Sequence, residues 1–339
     1  MRAFSYVRPQ TAAAAIEAFA AAGAGARYIA GGTTLYDLMK LDIEQPKHLI
    51  DVTAVQGMDA IEIRGDQLRF GALVPMSAIA ADPGVLREYP VLAESLARAA
   101  SQQLRNMATV GGNLLQRTRC LYFRNGAGGT SAGNTYPCNK RDPGSGCAAI
   151  GGADRGQAVL GQSASCTAVS PGDWPVALVA LDAHVEVLGQ SGARSIAVAD
   201  LYRLPGKTPH REFELKQGEM ITAIVVPKTP AGACSTYYKI CDRESYAFAL
   251  ASAAVALEMD GGVVKQARIA LGGVATVPWR ATAAEASLAG RTLTPELALA
   301  AGHVAFADAK PGRDNGYKIE LGARTVADAL MIAAGRNAA

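Results

Sequence analysis

"ARYIAGGTTLYDLMK", residues 26–40, is the stretch whose reading decides the fold. Residues 26–30 read as a short buried strand, because apolar, aromatic and β-branched side chains stand between glycines. Gly31, Gly32, Thr33 and Thr34 follow, and "LYDLMK" then has helical character. A strand, a glycine turn and a helix start make a concave backbone surface with free amides. Such amides can point jointly at an anion, and the missing side chains let a phosphate come close. A second turn of this kind lies in "MATVGGNLL" (107–115), about 80 residues on. Neither is a G-x-G-x-x-G fingerprint, and neither is a Walker A loop with its Lys and Ser/Thr, so the reading is not a Rossmann fold. Taken singly, each turn also reads as a tight connection. As a pair, each followed by hydroxyl or amide side chains, they suit a dinucleotide gripped from two sides.

Outward from this stretch the pattern is mixed. Residues 11–22 read as a helix with Thr11 as N-cap and Gly23 and Gly25 as its stop. "PKHLIDV", "AIEIR" and "QLRFGAL" read as strands, the last two joined at Gly65-Asp66, and helices are expected near 77–81 and 90–100. "WPVALVALDAHVEVLG" and "EMITAIVVP" resume regular structure. "YAFALASAAVALEMDGGVVKQARIALGGVA" reads as two long antiparallel strands about an Asp-Gly-Gly turn, with helices dominating from Trp279 on. Pro, Lys, Thr, Ala and Gly at 227–232 break the pattern and place a domain boundary there, giving units 1–229 and 230–339.

The bulk properties exclude some classes. At 339 residues the chain exceeds one ordinary core. With 19% charged residues and a net charge of +3, it lacks the basic excess of a nucleic-acid binder. The N-terminal apolar run is Ala-rich and broken by Glu17, so it reads as an amphipathic helix and not as a signal peptide. No run of about 18 strongly apolar residues suggests a membrane span. These features place synthesis in the cytoplasm.

Six cysteines, Cys120, Cys138, Cys147, Cys166, Cys234 and Cys241, are many for a reducing compartment, and four fall within 47 residues. That clustering favours a metal or cluster site over disulfides. The spacing C-x17-C-x8-C-x18-C is neither a compact ferredoxin run nor a paired zinc ribbon, so spacing alone leaves the metal open. A loop of low apolar content wrapped around a cluster would be ordered by it. His48, His184, His210 and His303 are far apart and form no metal pair, and Ser145-Gly146 lacks the context of a nucleophile elbow. "RNM" (105–107), "NKR" (139–141) and "DRES" (242–245) read as solvated polar clusters.

"YIAGGTTLYDLMK" (28–40), "QLRNMATVGGNLLQ" (103–116), "CTAVSPGDWPVALVALDAHV" (166–185) and "ARIALGGVATVPWRATAAEASLAG" (267–290) together resemble the FAD-binding subunit of the molybdenum hydroxylases, the xanthine dehydrogenase and carbon monoxide dehydrogenase family. The resemblance runs over nearly the whole chain in order. It implies an α+β fold: a two-part FAD-binding domain of the vanillyl-alcohol-oxidase/PCMH type, then a smaller C-terminal domain of antiparallel sheet plus helices.

The resemblance further implies that Tyr28, Ile29, Ala30, Gly31, Gly32, Thr33, Thr34 and Leu35, with Thr109, Val110, Gly111, Gly112 and Asn113, cradle the FAD pyrophosphate. Asp173 would lie near the ribityl or adenosine part, and Ile221 and Lys239 would line the flavin. By their residues alone, Asp173 reads equally as a helix N-cap and Lys239 as a solvated strand charge. No His lies in either loop, so non-covalent FAD is expected. "LLQRTRC", "PCNKR", "PGSGCAA" and "SASCTA" resemble the insert of the FAD subunit of bacterial periplasmic aldehyde oxidoreductase, and more distantly that of 4-hydroxybenzoyl-CoA reductase. This implies a [4Fe-4S] cluster on Cys120, Cys138, Cys147 and Cys166 in an insert spanning about 117–166, with "RNGAGGTSAGNTY" enlarging the loop. Cys234 and Cys241 are expected as buried thiols.

The function so implied is electron transfer, with no catalytic residue on this chain. A large partner with a molybdenum cofactor oxidises an aldehyde, a small [2Fe-2S] partner relays electrons to FAD, and a terminal acceptor (ferredoxin, oxygen, quinone or NAD) receives them. Relatives are exported folded on a partner's twin-arginine signal. The resemblance therefore implies the periplasm with such a partner and the cytoplasm otherwise. Two other readings compete. A stand-alone flavin oxidoreductase would turn over substrate alone, and a non-enzymatic metal or redox-sensing module would keep metal without flavin.

Overall fold

A computed structural model describes residues 2–125 and 136–336. The first expected helix forms over Ala12–Ala22, where the Thr11 hydroxyl accepts a hydrogen bond from the Ala14 amide at 3.2 Å. Its residues Ala15, Ile16 and Phe19 are buried. The strands β1 (Ser5–Val7), β2 (Ala26–Ile29) and β3 (His48–Asp51) form a parallel sheet in the order β1-β3-β2. Parallel neighbours need a crossover, and the helix Leu35–Lys40 supplies it between β2 and β3. This puts the turn 30–34 at the C-terminal end of β2. The strand is less covered than its composition suggests, for only Ala26 of the four is fully buried.

The strands β4 (Ile61–Arg64), β5 (Gln67–Gly71), β6 (His184–Gly189), β7 (Gly192–Ala197) and β8 (Met220–Pro227) form an antiparallel sheet ordered β4-β5-β8-β6-β7. Between β5 and β6 the chain leaves the sheet through a run of helices and the cysteine-bearing segment. Among the helices there that were not expected are two with clear caps. Pro83–Glu88 starts at Asp82, whose carboxylate accepts from the Val85 amide at 2.9 Å, and Gln102–Met107 starts at Ser101, whose hydroxyl accepts from Leu104. Asp-Pro and Ser are both helix-start signals, legible in retrospect.

β9 (Ser235–Ile240), β10 (Ala251–Asp260), β11 (Val263–Gly272) and β12 (Trp279–Arg280) form a third, antiparallel sheet, with the long β10–β11 pair where the sequence places it. Its strands alternate between two cores, as the period of two requires. Ala253, Val255 and Leu257 join a cluster closed by the helices Thr282–Leu288, Pro295–Ala305 and Tyr317–Gly335. Ala254, Ala256 and Tyr237 join the cluster that also holds Trp174, Phe70 and Leu92. Small alanines on that second face let the helices Pro90–Ala97 and Trp174–Ala180 lie close against the sheet. The mixed α+β organisation with antiparallel sheets matches the expectation. Among the described residues no helix is long and apolar enough to cross a membrane.

Candidate functional site

The two glycine turns meet. A side chain on Gly31 would put its Cβ 1.7 Å from the Met107 carbonyl oxygen, so the first turn touches the backbone just before the second. Gly32 sits at φ +71°, in the left-handed region that favours glycine. In the second turn, Thr109 caps the short helix Val110–Leu114 by accepting from the Gly112 amide at 3.3 Å. Gly111 lies so close to Ala72 that a Cβ would come within 2.7 Å of that residue's own Cβ.

Together the turns wall a cleft of about 1760 Å3, larger than the few hundred to about 1,000 Å3 usual for small-ligand pockets. Residues 28–35, Thr109, Gly111, Gly112, Asn113, Asp173 and Ile221 all line it. Val110 and Lys239 do not. The Val110 side chain is fully buried in the core, because it points away from the wall that its glycine neighbours form. Asn113 leaves its Oδ1 buried without a partner, while its Nδ2 reaches only the Met76 sulfur at 3.4 Å. An unpartnered buried acceptor on a cleft wall fits a ligand that brings donors.

Asp173 and Lys239 form one unit. The Lys239 ammonium donates to Asp173 Oδ2 at 2.8 Å and to the Arg98 carbonyl at 3.0 Å, and the Tyr237 hydroxyl donates to Asp173 Oδ1 at 2.5 Å. Both partners of the ion pair are buried. Asp173 occupies the N-cap position of the helix Trp174–Ala180, yet its side chain caps nothing. Nor is Lys239 a solvated strand charge. Burial pushes the Asp173 carboxyl above the ordinary carboxylate range, against the pull of Lys239. The same burial pushes the Tyr237 phenol well up. Lys239 therefore reaches the cleft only through Asp173.

Several residues on the cleft wall carried no signal in their local sequence. Arg119 lies over the Phe248 ring at 4.9 Å and 3.5 Å from Asp37, and Arg124 donates to Asp37 at 2.5 Å. Arg119 Nε and Arg124 Nη1 are buried without partners, and burial holds the Arg119 guanidinium below its usual range. Asp242 and Arg243 of "DRES", expected as solvated, also line the cleft. Lys318 lines it from the start of the helix Tyr317–Gly335. It is almost fully buried, donates to the carbonyls of Gly273 at 2.6 Å and Gly156 at 3.5 Å, and is pushed down to about 8 by burial.

Beside the cleft, Cys120, Cys138, Cys147 and Cys166 line one small pocket of about 10 Å3. Cys138 and Cys147 face each other as an isolated antiparallel pair, and Cys166 sits in a tight turn with Ser163. The four form no disulfide. Among the described residues no group of three or more His, Cys, Asp or Glu side chains closes tightly enough for a single metal ion. What the structure does bring together is four thiols on one pocket, the ligand type and number that an iron–sulfur cluster takes. The space holds little more than a water, so the thiols would have to spread for a cluster to enter. Burial pushes Cys166 up to about 11, with Lys140 pulling against it.

Polar staples hold this segment. Arg141 donates to the carbonyls of Tyr122, Phe123, Asn125 and Tyr136, and Asn139 Oδ1 accepts from the amides of Gly144 and Gly146. Lys140 and Arg117 converge on Glu212, and Arg117 also meets Glu44 at 2.6 Å. "NKR" is thus the fastening of the insert and not a solvated cluster. Ser145 is structural, accepting from the Cys138 amide at 3.0 Å. "RNGAGGTSAGNTY" lies mostly at 126–135, outside the described residues. Cys234 and Cys241 are half-buried, not buried as expected, since both lie at the ends of β9, where the sheet cover thins.

Two family descriptions match the chain: "FAD binding domain in molybdopterin dehydrogenase" over residues 2–229, and "CO dehydrogenase flavoprotein C-terminal domain" over residues 236–332. The aldehyde oxidoreductase FAD-binding subunit PaoB of Escherichia coli (strain K12) is 48% identical over 97% of this chain and 98% of its own length. The carbon monoxide dehydrogenase medium chain of Afipia carboxidovorans is 29% identical over 86% of this chain and 81% of its own. A solved carbon monoxide dehydrogenase structure from Hydrogenophaga pseudoflava superposes with a TM-score of 0.76 at 27% identity, covering 99% of this chain and 98% of that one.

Proposed function

The chain belongs to the FAD-binding subunits of the molybdenum hydroxylases and is an oxidoreductase subunit, and from that premise we propose that it serves a molybdenum-dependent aldehyde oxidoreductase. The overall reaction is R–CHO + H2O → R–COOH + 2 e− + 2 H+, with the substrate step on a large molybdenum-cofactor partner. A small [2Fe-2S] partner delivers the electrons to this chain, which passes them to a terminal acceptor. The observation that carries the reading is the cleft walled by two mutually packed glycine turns, with the Asn113 Oδ1 buried and unpartnered in its wall.

In this reading residues 28–35 and 109–113 hold FAD non-covalently. Ile221 supplies an apolar wall, and the Asp173–Lys239 pair fixes the floor on which Asp173 meets the ligand. When bound, FAD supplies a carrier that exchanges electrons singly or in pairs. Cys120, Cys138, Cys147 and Cys166 hold a [4Fe-4S] cluster, and Arg141, Asn139 and Lys140 keep the four thiols converged. The functional division falls near 227–232, with 1–229 as the FAD-binding part and 230–339 as the part that closes the cleft from the other side. Co-export on a partner's twin-arginine signal would place the complex in the periplasm, and without such a partner it stays in the cytoplasm.

The test is anaerobic mixing with an aldehyde while flavin absorbance is followed. The intact complex is expected to bleach and the isolated chain to stay oxidised. Bleaching of the isolated chain by aldehyde would replace this reading with a stand-alone flavin enzyme.

A further inference from the structure

We propose that Gln157 is a positioning residue for the cluster: its side-chain amide donates to the Cys120 sulfur and so raises the reduction potential there. The proposal rests on the cluster reading given above. Gln157 is buried, and its Nε2 lies 3.5 Å from Cys120 Sγ. The amide's orientation follows from its other end, because the Thr167 hydroxyl donates to Gln157 Oε1 at 3.4 Å and leaves the NH2 group facing the sulfur.

The placement of Gln157 comes from the far end of the sequence. The Asp154 carboxylate accepts from the amides of Arg313 at 2.8 Å and Asp314 at 2.7 Å. Asn315 Nδ2 donates to the carbonyls of Gln157 at 3.3 Å and Ala158 at 3.2 Å, and Lys318 reaches Gly156. Residues 313–318 thus grip 154–158 from outside, and the side chain that emerges inward is the one that meets Cys120. A donor to a ligand sulfur stabilises the more negative, reduced state, which raises the potential.

The experiment compares wild type, Gln157→Leu and Gln157→Glu in the purified complex. Iron and acid-labile sulfide are assayed, and the midpoint potential is read by low-temperature EPR. Gln157→Leu is expected to keep its iron and shift the potential negative. Gln157→Glu is expected to shift it further, because a carboxylate then faces the sulfur. Iron retained with unmoved potentials and spectra in both variants overturns the role of Gln157 alone. A wild-type complex without this chain's iron overturns the cluster reading and the proposal with it. Should both variants lose iron, Thr167→Val decides, since it keeps Gln157 but frees its orientation. A smaller negative shift supports the proposal, and none overturns it.

Discussion

The cleft and the cysteine segment lie side by side and are built in opposite ways. The cleft is shaped by main chain: Gly31 presses on the Met107 carbonyl and Gly111 on Ala72, the first turn following β2 and the second lying between two helices. The cysteine segment has little core of its own, a cluster of Leu38, Phe123 and Cys138, and is held by side chains such as Arg141 that reach across it to carbonyls. A backbone-built site has its form before any ligand arrives. A side-chain-built site distributes its order over many polar contacts, and its thiols close on a space of only about 10 Å3.

Substitutions can break or sharpen that contrast. The largest effect on flavin content is expected from Gly31→Val, which drives a branched side chain into the Met107 backbone. Overpacking of this kind costs roughly 1–3 kcal/mol or more, and no rotamer relieves a clash at Cβ. FAD content, read from the ratio of flavin to protein absorbance, should fall below about a tenth of wild type. A variant with full flavin would show that the turns need not touch.

Next is Lys239→Met, which strands the buried Asp173. Breaking a buried pair from one side costs about 3–5 kcal/mol in chemical denaturation. The double variant with Asp173→Asn should recover part of this, and purely additive losses would argue against a coupled pair.

Lys318 joins the two regions through Gly156 and Gly273, and its effect depends on pH. Its folded-state pKa of about 8 lies below the unfolded value near 10.5, so the unfolded chain binds more protons between these values. Its contribution to stability is therefore present above about pH 10.5 and lost as pH falls through 8, an effect of at most about 3 kcal/mol. Denaturation midpoints of wild type and Lys318→Met at pH 7.5 and pH 10 should differ in this sense, with a flatter profile in the variant. A parallel pair of profiles would contradict the assignment.

The smallest effect, about 2 kcal/mol, is expected from Arg141→Ala, whose bonds are partly exposed. Limited proteolysis should then cut the cysteine segment while sparing the remainder. Uniform cleavage would show that the segment is fastened by its neighbours instead.

The same contrast explains what was legible in the sequence. Glycine turns at a helix start announce themselves locally, so the two turns were legible as walls of one cleft, and alternation announced the β10–β11 hairpin. Val110 was carried along with its neighbours because a motif does not say which of its side chains turn inward. The Asp173–Lys239 pair, the cleft-lining Arg119 and Lys318, and the grip of residues 313–318 on 154–158 join positions far apart in the chain. No local pattern encodes such contacts. A cluster was expected to order the insert; the contacts seen there are those of Arg141, Asn139 and Lys140, and a short polar run gives no sign whether its charges face water or carbonyls.

The most direct test is the cofactor content of the intact complex, wild type against Cys138→Ser. The wild type is expected to hold FAD together with about four irons and matching sulfide per copy of this chain, beyond those of its partners. The variant is expected to lose those irons and keep its FAD. Iron content unchanged by the substitution, or flavin lost together with the iron, would contradict two separately built sites.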